Sequence, residues 1–141
     1  MANAQVSSPD RPRLPLVVLP QTIAICRLAP DAAVPAWASV PSPFLTLSRT
    51  ADELSITAIQ EIIPSDVSCE RDYRAFRVRG PLPLNLIGIL ASIAGPLAEA
   101  GLSIFAISTY DTDYVLVKGA SLESAVAALE RAGHTISRGM K

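Results

Sequence analysis

The sequence of 141 residues is poor in the side chains on which most enzymes depend. It has one histidine and two cysteines, its aromatic content is 5%, and its charged content of 18% lies below the roughly 25% of an average soluble domain. No carboxylate or cysteine is placed to pair with His134, so we expect this histidine to be a structural or a surface residue. That excludes Ser–His–Asp and Cys–His catalysis and most zinc enzymes. P-loop and GxGxxG motifs are also lacking, and we predict neither enzymatic activity nor a cofactor.

The charge balance argues against a nucleic-acid partner. Lys and Arg number 12 against 13 Asp and Glu, which leaves a net charge of −1. One segment mixes cationic and aromatic side chains as an RNA-binding sheet does: Arg71, Tyr73, Arg74, Phe76, Arg77 and Arg79. A sheet that stacks bases presents several aromatic residues on adjacent strands, whereas Phe76 and Phe105 are predicted to lie in the core. We therefore interpret the segment as a strand with one solvated face.

The cysteines Cys26 and Cys69 lie far apart, without a CxxC motif. This spacing excludes a zinc ribbon and a CxxC redox motif, and it favours buried free thiols over a disulfide. The apolar segment Leu14–Leu19 is too short for a signal peptide and is followed by Pro20. We therefore predict a cytoplasmic protein.

Half of the residues (50%) are hydrophobic and the mean hydropathy is +0.35, which excludes intrinsic disorder. A membrane segment, a buried oligomer interface or an efficient core would each explain this excess. The run from Leu84 to Ile107, with Glu99 as its one charge, has the length of a membrane span. Glycine and proline divide the run, however, and no aromatic belt flanks it. We therefore predict no membrane partner.

The second half of the chain has the clearer pattern. All seven glycines lie between Gly80 and Gly139, and eleven of the twelve prolines lie at or before Pro83. Hydrophobic periodicity predicts strands over Tyr73–Arg79, Ser103–Ser108, Tyr114–Lys118 and His134–Arg138. It predicts helices over Leu86–Ala100, ended by Gly101, and from an N-cap at Ser121 to Gly133. The order βαββαβ is that of a ferredoxin-like fold, an antiparallel sheet with both helices on one face.

The first half repeats this order more weakly. We expect an extended segment over Leu14–Leu28, a short helix over Ala32–Ser39, a hairpin of Phe44–Ser48 with Leu54–Ile59, and one helical turn at Gln60–Ile63. Three places match at an offset of 60 residues: Leu47-Ser48 with Ile107-Ser108, Glu53 with Asp113, and Ile56 with Leu116. The prediction is an N-terminal tail over 1–13 and two modules, over 14–70 and 71–141. Modules of about 60 residues have marginal cores, so we expect them to pack together.

The predicted turn Tyr110–Asp113 carries two aspartates, Asp111 and Asp113. Such a pair has the chemistry to hold a hard cation. Aspartates in hairpin turns also bond to their own backbone, which explains the same residues without a metal. We favour the turn and predict no metal site.

The most specific feature of the chain is the string GLSIFAISTYDTDYVLV over residues 101–117. With Gly88-Ile89-Leu90 and Pro96–Ala100 before it, this string resembles ACT-domain proteins of the CASTOR-type branch. These are relatives of the arginine-sensing CASTOR proteins and of the regulatory modules of aspartate kinases. Fainter matches at Thr22–Leu28 and Phe44–Leu47 extend the resemblance from Leu14 to the C-terminus.

The resemblance implies an α+β fold of two tandem ferredoxin-like ACT modules with antiparallel sheets. It also implies that a small ligand, commonly an amino acid, binds where two modules meet. The ligand-binding residues that it implies are Gly88, Ile89, Ser103, Ile104, Thr109, Tyr110, Thr112 and Asp113. Backbone N–H groups at a helix start would bind a carboxylate, and Asp113 would bind an amino group.

The sensors of this branch carry more modules in one polypeptide, so a complete site here implies a homodimer. The resemblance thus predicts a non-enzymatic regulatory protein that binds an amino acid. The alternative is an ACT-like module without a ligand that serves as a protein-binding scaffold.

Overall fold

The computed structural model describes residues 11–139, so residues 1–10 of the predicted tail lie outside the described residues. Two compact units are distinguished. The strand unit is Gln21–Arg74, and the helical unit combines residues 11–20 with 75–139. The longest α-helix in the described part has 11 residues, and no helix there has the length and hydropathy needed to cross a membrane.

The elements follow the predicted alternation of strands and helices in the second half. Strands β1 (Pro15–Val18), β2 (Ile23–Leu28), β3 (Leu45–Arg49), β4 (Leu54–Ile59) and β5 (Cys69–Val78) precede helix α1 (Ile89–Glu99). Strands β6 (Phe105–Ser108) and β7 (Asp113–Lys118), helix α2 (Leu122–Arg131) and strand β8 (Thr135–Arg138) follow. Short 3₁₀ turns occupy Ala36–Ala38, Gln60–Ile62 and Gly119–Ser121.

The sheet of the helical unit has the order β8-β1-β5-β7-β6. Strand β1 is antiparallel to β5, with Leu16 opposite Val78, and parallel to β8, with Leu16 opposite Ile136. The prediction of purely antiparallel sheets was therefore wrong. The physical reason is that the N-terminal strand inserts between the first and last strands of the βαββαβ order, so that β8 pairs with β1.

Both helices pack on one face of this sheet through apolar residues at helical spacing. Helix α1 contributes Ile89, Ile93 and Leu97, and α2 contributes Leu122, Ala125, Val126 and Leu129 to a core completed by Leu16, Val18, Phe76, Val78, Val115 and Val117. Gly101 and Gly133 follow the helices with φ of 78° and 101°. These left-handed glycines confirm the predicted helix ends. Ser121, in contrast, makes no side-chain cap, because a 3₁₀ turn leads directly into α2.

The strand unit has an antiparallel sheet in the order β3-β4-β2-β5, to which β5 contributes its first residues. A bulge interrupts the pairing of β2 with β5 between Ile23 and Ile25. Asp72 takes a φ of 69° there, and Gln60 holds it in place. The Gln60 Oε1 accepts from the Asp72 N–H at 2.6 Å, and its Nε2 donates to Asp72 Oδ1 at 3.0 Å.

No α-helix forms in the strand unit. The predicted helix over Ala32–Ser39 is wrong, because Pro35 lacks a backbone N–H and disfavours helical geometry at the residue before it. The chain instead makes one 3₁₀ turn directly after Pro35. The single turn predicted at Gln60–Ile63 is confirmed as the 3₁₀ turn Gln60–Ile62.

The two cysteines form a disulfide, so the prediction of free thiols was wrong. Cys26 of β2 lies directly opposite Cys69 of β5, with 4.1 Å between their Cα atoms. Strand register brings the residues together despite a sequence separation of 43. The predicted module limits, 14–70 and 71–141, stay a prediction. The two compact units follow a different division, with limits at Pro20 and Arg74.

Candidate functional site

Helix α1 begins without a side-chain cap. Its N-cap is Gly88, whose φ of 83° lies in the left-handed region that glycine tolerates. This conformation starts the helix at Ile89, three residues later than the hydrophobic pattern predicts. The first turn contains no acidic residue. The N–H groups at the start of a helix lack intrahelical partners, so this end of α1 favours an anion.

The turn between β6 and β7 is closed by threonine. The Thr109 N–H and hydroxyl donate to the Thr112 carbonyl at 2.9 and 3.1 Å. The buried Thr112 hydroxyl donates to the Val78 carbonyl at 2.7 Å, which holds the turn against the end of β5. Ser108 donates from its hydroxyl to Asp113 Oδ1 at 2.6 Å. The predicted turn is confirmed, although threonine rather than aspartate closes it.

The start of α1, the loop before it and this turn line a cavity of about 390 Å³. The Leu82 N–H donates to the Asp111 carbonyl at 2.7 Å, which fixes the loop to the turn. Gly80 permits this approach, because a Cβ there would lie 3.2 Å from the Asp111 carbonyl oxygen. The cavity therefore rests on backbone contacts between residues about thirty positions apart in sequence.

Six of the eight predicted ligand-binding residues line this cavity: Gly88, Ile89, Thr109, Tyr110, Thr112 and Asp113. Ile89 and Thr112 are buried and so contribute mainly through their backbones, whereas the Tyr110 side chain is 80% exposed. Ser103 and Ile104 do not line the cavity. They follow the C-terminal end of α1, where Ser103 is exposed and Ile104 packs partly against the core.

Sequence reasoning missed the apolar wall and part of the rim of the cavity. The wall and rim include Leu82, Pro83, Leu84, Leu86, Leu90, Ala91, Ser108 and Asp111. Several of these leucines are exposed, and their neighbour Ile87 is 90% exposed. The available signal was the concentration of large apolar residues in a segment punctuated by Gly80-Pro81 and Pro83, where no helix or strand would bury them.

The electrostatics of the cavity are asymmetric. Asp111 and Asp113 are the charged side chains that line it, and no lysine or arginine is among its lining residues. The uncapped start of α1 presents partial positive charge to the same cavity. An arrangement of this kind is complementary to a ligand that carries both a carboxylate and an ammonium group.

His134 is structural, one of the two roles predicted for it. Its Nδ1 accepts from the Leu14 N–H at 3.0 Å, so its Nε2 carries the proton and donates to the Ser92 carbonyl at 2.8 Å. Phe76 is buried in the core and has no face available to a base. Residues 11–139 contain no group of three His, Cys, Asp or Glu side chains arranged to hold a metal ion.

Two family models match the chain. The model described as the ACT domain matches residues 68–131, which include the whole of β5, α1, β6, β7 and α2. A second model, described as an N-terminal domain, matches residues 21–66 and thus falls within the strand unit.

Solved structures and curated proteins are also similar to this chain. The crystal structure of protein Atu0741 from Agobacterium tumefaciens has a TM-score of 0.85 and 36% identity, over 92% of this chain and 96% of that one. The human cytosolic arginine sensor for mTORC1 subunit 1 is 39% identical over 77 residues, 51% of this chain. The match spans 23% of the sensor, less than a quarter of its length. The regulatory subunit of aspartate kinase from Thermus flavus, at 12% identity over 86% of this chain and 99% of that one, has a TM-score of 0.59 and shares the fold.

Proposed function

Because the ACT-domain model matches residues 68–131 of this chain, we propose that it is a regulatory protein that binds an amino acid in the cavity between the start of α1 and the β6–β7 turn. The observation that carries the proposal is the meeting of Gly88 and Ile89 with Thr109–Asp113 around one cavity. The function proposed is binding rather than catalysis.

The start of α1 would bind the carboxylate of the ligand. Backbone N–H groups at a helix start point outward and carry partial positive charge, which favours an anion. Gly88 adds no side chain that would compete for these groups or block the approach of a ligand. The carboxylate would thus be recognised without a cationic side chain, consistent with the lack of lysine and arginine in the cavity lining.

The turn would bind the ammonium group. Asp113 is half-buried and accepts a hydrogen bond from Ser108 at 2.6 Å, which fixes one of its carboxylate oxygens. Charge-assisted hydrogen bonds to a carboxylate are stronger than neutral ones. Asp111 adds a second negative charge to the same rim. A zwitterion would therefore be oriented by opposite charges from two elements.

The names of similar proteins support an amino acid as the ligand class. One is an arginine sensor, and another is the regulatory subunit of a kinase that acts on aspartate. The apolar wall formed by Leu82, Leu84 and Leu86 would contact the side chain of the ligand. A cytoplasmic location is part of the proposal by analogy with the sensor, whose name states that it is cytosolic, although disulfides such as Cys26–Cys69 are rare in cytosolic proteins.

Two tandem ACT modules are also part of the proposal. The strand unit has the element order and the strand order of a βαββαβ module, with both helices shortened to 3₁₀ turns. A site between modules would then include Ser103 and Ile104 of a second copy, since these residues do not line the cavity of their own chain. We accordingly propose a homodimer, for which light scattering should give twice the monomer mass of 14.9 kDa.

A thermal-shift screen over the amino acids tests the ligand. A ligand present at about 100 times its dissociation constant stabilises the protein by roughly 2.7 kcal/mol, which corresponds to about 5–10 °C at this size. We expect one amino acid, or a few of similar structure, to give such a shift. No shift with any amino acid at millimolar concentration would contradict the proposed function while leaving the fold unaffected.

A matched pair of variants tests the place of binding. Asp113→Asn removes one charge from the cavity and should abolish most of the shift. Asp66→Asn removes the same charge from an exposed position of the strand unit and should leave the shift unchanged. Equal thermal shifts in the two variants would mean that the amino acid binds at another place in the protein.

A second function, a protein-binding scaffold, is favoured by the exposed apolar side chains around the cavity. Leu84 is 71% exposed, and Ile87 and Tyr110 are more exposed still. Large apolar side chains that are exposed together are typical of interaction surfaces. A scaffold should keep its partner at any amino-acid concentration, also after Asp113→Ala is combined with Ser103→Lys. A regulatory sensor should lose amino-acid dependence in the same double variant.

A further inference from the structure

A second cavity lies in the helical unit and shares no lining residue with the candidate site. Its volume of about 590 Å³ falls within the roughly 300–1,000 Å³ of small-molecule sites. It is lined by residues 11–13 together with the C-terminal parts of α1 and α2. His134 closes one side, where both of its ring nitrogens already bond to the backbone. The cavity is therefore a separate place in the fold.

The cavity is strongly cationic. Arg11, Arg13 and Arg131 line it against a single carboxylate, that of Glu99. All four side chains are exposed, and within residues 11–139 none of them makes an ion pair. Their net charge is plus two, and the two adjacent helix C-termini offset it by only about one elementary charge. The cavity thus holds positive charge that residues 11–139 do not neutralise.

Glycine lets two of the arginines lie close against the helices. The Arg11 guanidinium lies over Gly95 inside α1, where a Cβ would collide with it. The Arg13 side chain lies over Gly133, where a Cβ would be 2.8 Å from Arg13 Nε. Glycine inside a helix is less stable than alanine. Gly95 therefore lowers the stability of α1 at the position against which Arg11 packs.

The arginines are not required to cap the helices. The Gly101 and Leu102 N–H groups bond to carbonyls at the end of α1, both at 2.9 Å. The Gly133 and His134 N–H groups do the same for α2, at 3.0 and 3.1 Å. Both helices therefore end in the two hydrogen bonds of a Schellman motif. Within residues 11–139, the guanidinium donors therefore remain available to a ligand.

We propose that this cavity binds the phosphate group of a small molecule. The planar fork of arginine matches phosphate oxygens bidentately, and a phosphate carries enough oxygens to engage more than one fork. A dianionic phosphate gains from all three guanidinium groups against the repulsion of Glu99. A single carboxylate engages one fork and carries half the charge, so it gains less.

Isothermal titration with inorganic phosphate, pyrophosphate, AMP and acetate tests the proposal. We expect the phosphate compounds to bind more tightly than acetate, which carries a single carboxylate, with an affinity that falls between low salt and about 0.15 M salt. Arg131→Gln and Arg13→Gln should each weaken binding about tenfold or more, since hydrogen bonds to charged groups are lost. Arg27→Gln, which removes the same charge from the strand unit, should change the affinity less than about twofold.

Gly95→Ala separates a binding role of Arg11 from a structural one. The added methyl group displaces the flexible guanidinium while it favours the helix, so the melting temperature should rise as the phosphate affinity falls. The proposal is overturned if no phosphate compound binds at millimolar concentration, if acetate binds as tightly, or if Arg27→Gln weakens binding as much as Arg131→Gln. It is also overturned if both Gly95→Ala and Arg13→Gln keep the full affinity. Amino-acid binding at the candidate site does not depend on any of these residues, so the two proposals can fail separately.

Discussion

The strand unit and the helical unit pair their strands in the same order but differ in the segments that connect the strands. In each, the third strand of a β-x-β-β-x-β order pairs with both the first and the second strand. The connecting segments are 3₁₀ turns of three residues in the strand unit. In the helical unit they include α-helices of 11 and 10 residues. The sheet pairing is thus common to both units, and the helices are not.

The hairpins of the two units correspond closely. The last pairs before each turn are Arg49 with Leu54 and Ser108 with Asp113. The Thr50 N–H donates to the Glu53 carbonyl and the Thr109 N–H to the Thr112 carbonyl, both at 2.9 Å. Subtracting 49 from 108 and 54 from 113 gives an offset of 59 residues, so the predicted offset of 60 was off by one.

The difference between the units indicates what the candidate site requires. Both units have the threonine-closed turn, but the helical unit alone places the start of an α-helix beside it among the described residues. The turn by itself supplies hydroxyls and carboxylates, whereas the helix supplies partial positive charge. The chemistry of the proposed site therefore depends on the helix, and the hairpin positions the other half.

The largest effect should come from removing the disulfide of the strand unit. With no α-helix among its described residues, this unit has a small core, and the Cys26–Cys69 bridge restricts its unfolded chain. Replacing both cysteines by alanine should lower the free energy of unfolding by about 2–4 kcal/mol. Urea denaturation with and without a reductant measures it: the reductant should destabilise the natural sequence and leave the double variant unchanged. Two titratable thiols in the folded, air-oxidised protein would contradict this expectation.

Local pattern was sufficient for most of the helical unit. Strands β7 and β8 begin one residue from their predicted starts, because alternating or β-branched residues are bounded by turn signals at both ends. The start of α1 was missed because Leu86 and Ile87 continue the apolar pattern, while the left-handed Gly88 ends it. The helix predicted over Ala32–Ser39 failed because Pro35 lies inside it.

Tertiary pairing accounts for what the sequence alone did not reveal. The insertion of β1 between β5 and β8 depends on contacts across most of the chain, and no periodicity encodes them. The pairing of Cys26 with Cys69 depends on the register of β2 with β5 in the same way. The site residues were predicted from a family resemblance. The apolar wall of the cavity was not predicted, because it lies in a loop without hydrophobic periodicity.

A smaller effect is expected at His134, which joins the N-terminal segment to α1 within the helical unit. His134→Phe removes the acceptor of the Leu14 N–H and the donor to the Ser92 carbonyl, both in buried surroundings. The loss should be about 2 kcal/mol of unfolding free energy, since a buried group without a partner costs about 1–3 kcal/mol. His134→Gln retains a donor and an acceptor and should recover part of it. Urea denaturation measures both variants. If His134→Phe had the same unfolding free energy as the natural sequence, these two hydrogen bonds would add nothing to stability.

The smallest effects should come from the two corresponding threonines, and they test the comparison of the units most directly. Thr50 Oγ1 accepts from the N–H groups of Asp52 and Glu53 at 3.1 and 3.2 Å, and Thr109 Oγ1 bonds to Thr112. Thr50→Ala and Thr109→Ala should therefore each cost about 0.5–1.5 kcal/mol in chemical denaturation. Thr109→Ala should in addition reduce the thermal shift caused by the amino acid, because its turn lines the cavity, whereas Thr50→Ala should leave that shift intact. Equal losses of the shift in the two variants would mean that the strand unit takes part in binding, and that the helix start beside Thr109 is not what distinguishes the units.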